Sequence, residues 1–285
     1  MIYDSIIVGA GPAGMSAGVQ LSRAGMKVLL IEKNEAGGLL RNANCVENYL
    51  GFHSPCGAEM VMEFQKQLED FSVPLVRGEV LEIQTGRTFS VRTKKKNYFA
   101  RTVLLATGTE ADLLEVSGEK KLAGKKVFYE LADLLKNFNK GKILVVGGGD
   151  VGFDYALNLS GRGFRSILIT RGEGAALPVL KSRAGKSGIP VYENVCVKKI
   201  GLGEKGLLVD CTQRQFKVDA VLVAVGRHVQ MPKIGMQKRV KGLYFAGDVK
   251  HFAIRQSQIA AGEGLMAAMQ IIHQLSNANR SRNRK

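Results

Sequence analysis

Glycines at positions 9, 11 and 14 follow directly on the apolar run Ile6-Ile7-Val8, and the same spacing returns at Gly147, Gly149 and Gly152 after Ile143 to Val146. In this pattern the first glycine permits a tight turn off a strand. The second lets the backbone approach a pyrophosphate with no Cβ in the way, and the third lets helix and strand pack closely. The helix that starts there offers free N–H groups and the positive end of its dipole to an anion. Glu32 closes the next apolar run, Lys27 to Ile31, twenty-one positions after Gly11. A carboxylate at that place accepts hydrogen bonds from a ribose and repels a 2′-phosphate. Together these residues read as a dinucleotide site.

Thiols and imidazoles are the remaining candidates for chemistry. Cys45, Cys56, Cys196 and Cys211 show neither a CxxC pair nor zinc spacing, so no metal site is expected. Ten residues separate Cys45 from Cys56, and a loop could bring them together. Of His53, His228, His251 and His273, only His251 lies beside an acid at a strand end, three positions after Asp248.

The elements that must position these residues follow from periodicity. A strand at Ile6 to Val8, a helix at Met15 to Ala24 and a strand at Lys27 to Ile31 make the first unit. Arg41 to Phe52 reads as loop, and an amphipathic helix is expected from Ala58 to Phe71. Val76 to Ile83, Phe89 to Thr93 and Tyr98 to Leu105 read as an antiparallel insertion whose last strand runs out, buried on both faces, into Ala106-Thr107-Gly108. After a helix at Tyr129 to Phe138 the pattern repeats. It runs through Ile143 to Val146, the second glycine turn, a helix to Ser160, a strand at Ser166 to Thr170 and a buried strand at Ala220 to Val223, ending in Ala224-Val225-Gly226-Arg227. Gly242 to Asp248 adds a strand and an acid, and a long helix from Ser257 to Leu275 closes the chain. Two such halves in one chain imply two bound nucleotides.

Composition agrees. At 285 residues and 45% hydrophobic, the chain can bury two sizeable cores, and its 34 glycines sit largely in turns between apolar runs, as in α/β proteins. No apolar stretch reaches the roughly eighteen residues that span a bilayer, and no signal peptide precedes the first strand, so a cytoplasmic protein is expected. The net charge is +16, part of it in Arg280, Arg282, Arg284 and Lys285. Such a field can steer an acidic protein partner or hold nucleic acid non-specifically. With no stacking aromatics or recognition motif beside it, specific nucleic-acid binding is not expected.

Nearly the whole chain resembles the low-molecular-weight thioredoxin reductases, flavoproteins with two dinucleotide folds in the pyridine nucleotide-disulfide oxidoreductase superfamily. The matching pieces are Gly9 to Gly14, Glu32, Gly37 to Leu40, Val46 to Tyr49, Ala106 to Gly108, Gly147 to Asp150, Val225 to Arg227, Ala246 to Val249, Arg255-Gln256 and Ala260 to Gly262. The resemblance implies an α/β protein with two Rossmann-like domains, each a three-layer arrangement with a central parallel sheet and an antiparallel insertion. The FAD domain (residues 1–114 and 242–285) is interrupted by the NAD(P) domain (115–241), on linkers at Leu113 to Gly118 and Val240 to Gly242 that permit rotation. It implies FAD against Gly9, Gly11, Pro12, Ala13, Gly14, Glu32, Lys33, Gly38, Leu39, Leu40, Asn48, Val80, Ala106, Thr107, Gly108, Gly247, Asp248, Arg255 and Gln256. NADP(H) or NAD(H) would lie against Gly147, Gly149, Asp150, Val151, Gly152, Arg171 and Gly226. A homodimer is the family's habit.

Three departures qualify this. The family's CxxC falls at Val127 to Asp133, which holds no sulfur, so the usual dithiol relay is impossible there. Its double arginine is reduced to Arg171 in Thr170-Arg171-Gly172-Glu173, and that single cation tips the choice toward NADPH. The stretch between Arg227 and Gly242 is also shorter than in the family. Three functions follow. One is an FAD-dependent NAD(P)H oxidoreductase feeding an external acidic carrier such as a ferredoxin, a flavodoxin or a thioredoxin-like protein. Another is a disulfide reductase using Cys45 and Cys56, the former beside Val46-Glu47-Asn48 near the flavin. The last is a non-enzymatic FAD-bound electron-transfer or sensor subunit.

Overall fold

The structure, a computed structural model, describes residues 1–235, 240–251 and 254–282, with side chains to Ala278. In chain order it begins with β1 (Ile2–Val8), α1 (Pro12–Arg23), β2 (Val28–Glu32), α2 (Gly57–Asp70), β3 (Leu75–Arg77), β4 (Val80–Gln84), β5 (Phe89–Thr93) and β6 (Asn97–Leu105). There follow β7 (Thr109–Ala111), α3 (Glu119–Leu122), β8 (Val127–Phe128), α4 (Leu131–Asn137), β9 (Lys142–Val146), α5 (Asp150–Gly161), β10 (Arg165–Ile169), α6 (Pro178–Lys186) and β11 (Val191–Tyr192). The last elements are β12 (Val197–Leu202), β13 (Leu207–Cys211), β14 (Gln215–Val218), β15 (Ala220–Val223), β16 (Arg227–Val229), β17 (Lys233–Gly235), β18 (Leu243–Phe245) and α7 (Ser257–Arg282).

The chain forms two compact units, one of Met1–Arg41, Cys45–Thr109 and Val229–Lys285, the other of Asn42–Asn44 and Glu110–His228. The first is built on an eight-stranded sheet in the order β17-β4-β5-β6-β1-β2-β3, with β18 added alongside β6. Strands β6, β1, β2, β3 and β18 are parallel, and β4 and β5 run antiparallel as the insertion. Ile7, Leu30 and Leu104 face the helical layer of α1, α2 and α7, while Ile6, Leu29, Ile83, Val91 and Leu105 form the core on the other face. Burial on both faces is why the parallel strands read as unbroken apolar runs.

The second unit repeats the plan. Its five-stranded sheet, β11-β10-β9-β15-β8, is parallel throughout, and β12, β13 and β14 form a separate antiparallel sheet. Phe153, Tyr155 and Leu159 of α5 pack on one face of the parallel sheet. Ile200, Leu207, Val209 and Phe216 of the antiparallel sheet cover the other.

Several boundaries differ from the sequence reading. Val76 to Ile83 is two strands, because β3 extends the parallel sheet beside β2 and the chain turns at Gly78, whose N–H donates to Glu32 O at 2.8 Å. Tyr129 lies outside the helix, Glu130 is extended, and α4 begins only at Leu131. The compact units divide after Thr109 and after His228, five and thirteen residues before the limits read from the sequence. The segment after His228 joins the first unit because β17 pairs along β4, Ile234 opposite Ile83, and Gln230 N donates to Gly108 O at 3.3 Å. The charged tail residues Arg284 and Lys285, and the side chains of Arg280 and Arg282, lie outside the described residues.

Candidate functional site

In the first unit the glycine turn joins β1 to α1, with Pro12 at the first helical position. A Cβ on Gly9 would lie 2.3 Å from Ala106 O, and one on Gly14 would lie 1.8 Å from Gly9 O. Gly11 is different: a Cβ there would meet nothing within 4 Å. An open side of this kind is what lets a backbone approach a pyrophosphate. Gly38 backs onto it, its own Cβ position 3.3 Å from Gly11 Cα, and Gly37 N donates to Ala10 O at 2.7 Å. Leu39 and Leu40 follow in one turn of 3-10 helix, Gly38–Asn42. Glu32 is fixed by two backbone donors, Ala10 N at 2.7 Å and Asn34 N at 2.8 Å, which leaves its remaining lone pairs for ribose hydroxyls.

Ala106, Thr107 and Gly108 leave the end of β6 beside this turn, and Ala106 N donates to Val8 O at 2.8 Å. The Thr107 hydroxyl donates to Gln230 O at 2.5 Å, and Lys33 Nζ donates to Gln230 Oε1 at 2.6 Å. Ala246 N donates to Leu105 O at 3.0 Å, which brings the buried Gly247 and the half-buried Asp248 to the same edge. Asn48 Nδ2 donates to Gln256 Oε1 at 2.9 Å. Arg255 carries a buried Nη1 with no hydrogen-bond partner among the described residues, which is what a donor waiting for a ligand looks like. Val80 begins β4, opposite Thr93, and packs on the core beneath the sheet. Gln230 and Glu263, which accepts from Gly247 N at 2.7 Å, escaped the sequence reading. For Glu263 there was a signal: it is the single acid after Asp248.

The second unit has the same turn between β9 and α5. A Cβ on Gly147 would lie 2.1 Å from Ala224 O and one on Gly152 2.2 Å from Gly147 O, while Gly149 has nothing within 4 Å. Asp150 and Val151 open α5, and the Asp150 carboxylate accepts from Leu177 N at 2.8 Å. The loop after β10 is tied to the turn, Ala175 N donating to Gly148 O at 2.8 Å and Gly174 N to Glu193 Oε1 at 3.1 Å. Thr170 is buried and spends its hydroxyl on Gly172 O, whereas Arg171 is exposed. Gly226 packs against Asp112, where a Cβ would lie 2.3 Å from the carboxylate, and that acid also meets His228 Nδ1 at 2.8 Å.

The stretch Val127 to Asp133 carries an ionic knot. Glu130 meets Arg227 Nη2 at 2.9 Å and accepts from Asn42 Nδ2 at 2.8 Å and the Tyr155 hydroxyl at 3.1 Å. Arg227 is almost wholly buried there. Burial, then the Glu130 charge, pushes the Tyr155 hydroxyl well above its ordinary range. Tyr129 donates to Glu119, which is fully buried, at 3.0 Å. Burial also raises Asp154 to about 6, against the pull of Asn44 N at 3.4 Å.

The thiols divide. Burial, then Asp210 and Cys196, pushes Cys211 to about 11, so it is no ready nucleophile. Cys45 is exposed, and Cys56 caps α2, its N–H donating to Glu59 at 2.9 Å. Val46 N donates to Pro55 O at 2.9 Å and Cys45 Sγ to Ser54 O at 3.5 Å, so the segment between the two cysteines is closed at its ends. Among the described residues no group of three metal-ligating side chains occurs, and no helix is long and apolar enough to cross a membrane.

Two sheets with parallel strands at their centres, each carrying a glycine turn with an open second glycine, and an acid fixed at the end of β2 define an oxidoreductase with two dinucleotide folds. Residues 3–264 match the pyridine nucleotide-disulphide oxidoreductases, and the chain belongs to that family of FAD-dependent NAD(P)H enzymes. It is 33% identical over 299 residues to thioredoxin reductase of Bacillus subtilis, covering 95% of this chain and 94% of that one. Thioredoxin reductase of T. acidophilum is similar in structure, with a TM-score of 0.84 at 28% identity over 95% of this chain and 98% of that one. The Lactococcus lactis enzyme in its FR conformation also gives 0.84, at 26% identity over 94% and 97%. The resemblance and the fold class read from the sequence are borne out, and a non-enzymatic role is set aside.

Two expectations test this geometry. Gly11→Ala should leave folding stability within about 1 kcal/mol of the parent, because nothing stands in the way of its methyl group, yet weaken FAD binding at least tenfold by roughly 1.4 kcal/mol. Gly14→Ala should cost about 3 kcal/mol or more through collision with Gly9 O, and urea unfolding of the two variants reads the contrast. Asp154 has a folded pKa above its unfolded value, so its contribution is complete below the unfolded pKa and is lost as pH rises through about 6. Asp154→Asn should therefore gain up to about 3 kcal/mol at about pH 7.5 and little at about pH 3, below the unfolded pKa, in the same assay.

Proposed function

We propose that the first unit holds FAD, the second holds a nicotinamide nucleotide, and the electrons leave to an external acidic carrier without a dithiol in the stretch Val127 to Asp133. The observation that carries this reading is the knot on Glu130, in which a carboxylate paired with Arg227 occupies the stretch where the thioredoxin reductases have their cysteines. When bound, FAD accepts a hydride from the nicotinamide and passes electrons on. The protein's part is positional. Gly11 and the α1 N-terminus receive the pyrophosphate, Glu32 the ribose, Asp248 the ribityl hydroxyls, and Arg255 offers the buried donor that has no partner among the described residues. In the second unit Gly149 and the α5 N-terminus receive the other pyrophosphate, and Arg171 meets a 2′-phosphate. A net charge of +16 favours a ferredoxin, flavodoxin or thioredoxin-like partner of opposite sign through steering. Four free cysteines suit a reducing cytoplasm. A homodimer completes the proposal.

Anaerobic stopped-flow mixing tests the core of it. NADPH should bleach the flavin, and reduction of an acidic carrier should slow steeply with added salt. No bleaching by NADPH or NADH at millimolar concentration would sink the proposal. Arg171→Ala should raise KM for NADPH about tenfold, one charge-assisted contact, and leave NADH within about twofold.

A second reading is favoured by the closed Cys45 to Cys56 segment. A Cys45–Cys56 disulfide would take two electrons and two protons from the reduced cofactor to give two thiols, which then reduce an external disulfide by exchange. Differential alkylation should label both cysteines only after NAD(P)H is added, and Cys45→Ser should abolish disulfide turnover. Unchanged turnover in that variant ends this reading.

A further inference from the structure

Gly247 and Asp248 begin a single turn of 3-10 helix, Gly247–Val249, that is closed by Lys250 N donating to Gly247 O at 2.8 Å. Gly247 sits at φ +78°, where a side chain would be strained, and its buried N–H has to find an acceptor. The acceptor comes from another element. Glu263, on α7 and only 9% exposed, takes the Gly247 N–H on Oε2 at 2.7 Å. Its Oε1 receives His251 Nε2 at 2.5 Å and Lys250 Nζ at 3.1 Å. One carboxylate therefore grips the turn at its first residue and at the two residues that follow it.

The helix that carries Glu263 is itself held in place. A Cβ on Gly264 would lie 2.0 Å from Ala13 O, so α7 rests directly on the first turn of α1, and Gly247 approaches the same place, its Cβ position 3.0 Å from Ala13 Cβ. Glu263 thus refers the Gly247–Asp248 turn to the helix start that faces the pyrophosphate. Burial would raise its pKa, but the Gly247 N–H, Lys250 and His251 outweigh that and hold the carboxyl below the usual range, so it is ionised at neutral pH.

We propose that Glu263 is a positioning residue for the flavin: it touches no substrate, and by accepting the Gly247 N–H it sets the turn that presents Asp248 to the ribityl chain. This rests on the reading that the first unit holds FAD.

The test is FAD titration of the apoprotein, followed by flavin fluorescence and visible circular dichroism. Glu263→Ala should bind FAD at least about tenfold more weakly and change the visible dichroism of the flavin that still binds, because the Gly247 N–H is left buried and unpaired. Glu263→Gln should stay within about threefold of wild type, since its amide oxygen can still take that N–H. Lys250→Met and His251→Gln, which spare the Gly247 bond, should also stay within about threefold, and these three variants carry the test if Glu263→Ala does not fold. The inference is overturned if Glu263→Ala binds FAD like wild type, or if any of the three sparing variants loses tenfold. Failure of the wild-type apoprotein to take up FAD would sink the flavin reading itself and this inference with it, whereas equal uptake by wild type and Glu263→Ala sinks Glu263 alone.

Discussion

Backbone brought closer to backbone than any side chain allows is the constraint on which both units depend. A methyl group at Gly14 or Gly152 would stand 1.8 Å or 2.2 Å from the carbonyl oxygen of the glycine five residues earlier, so helix and strand meet at a distance that only glycine permits. That approach aims the first turn of α1 and of α5 at the C-terminal edge of a parallel sheet, where the free N–H groups of a helix start favour an anion. The middle glycine of each turn is then left facing open space. Packing and binding thus come from one spacing. The outer glycines are required by the protein's own backbone, whereas a Cβ on the central one would meet nothing within 4 Å.

Around the first turn the polar groups are prearranged. Glu32 is held by two backbone N–H groups, the Gly247 turn by Glu263, and the small-residue turn after β6 by Gln230. The Glu263 tie satisfies a buried N–H that would otherwise cost about 1–3 kcal/mol. The second unit invests its polarity elsewhere. Its knot of Glu130, Arg227, Tyr155 and Asn42 consists of groups that hold charge or donate hydrogen bonds rather than exchange electrons. A buried ion pair of this kind adds little net stability over an apolar filling, but breaking it by removing one partner is costly.

The sequence by itself determined the halves and their turns, because strand burial and glycine spacing are local patterns that repeat. Ile6-Ile7-Val8 before Gly9 and Ile143 to Val146 before Gly147 could be read without a structure, as could the acid at Glu32 and the missing sulfur between Val127 and Asp133. Tertiary structure alone decided what lies far apart in the chain. Gln230 meets Lys33 and Thr107 across 197 and 123 residues, Glu130 meets Arg227 and Asn42, and β17 leaves its sequence neighbours to pair with β4. Val76 to Ile83 reads as one strand because its apolar residues continue through Gly78, and only pairing of β3 with β2 and of β4 with β5 splits it. Periodicity reports which face of an element is buried, but the partner that buries it is chosen by packing over the whole chain.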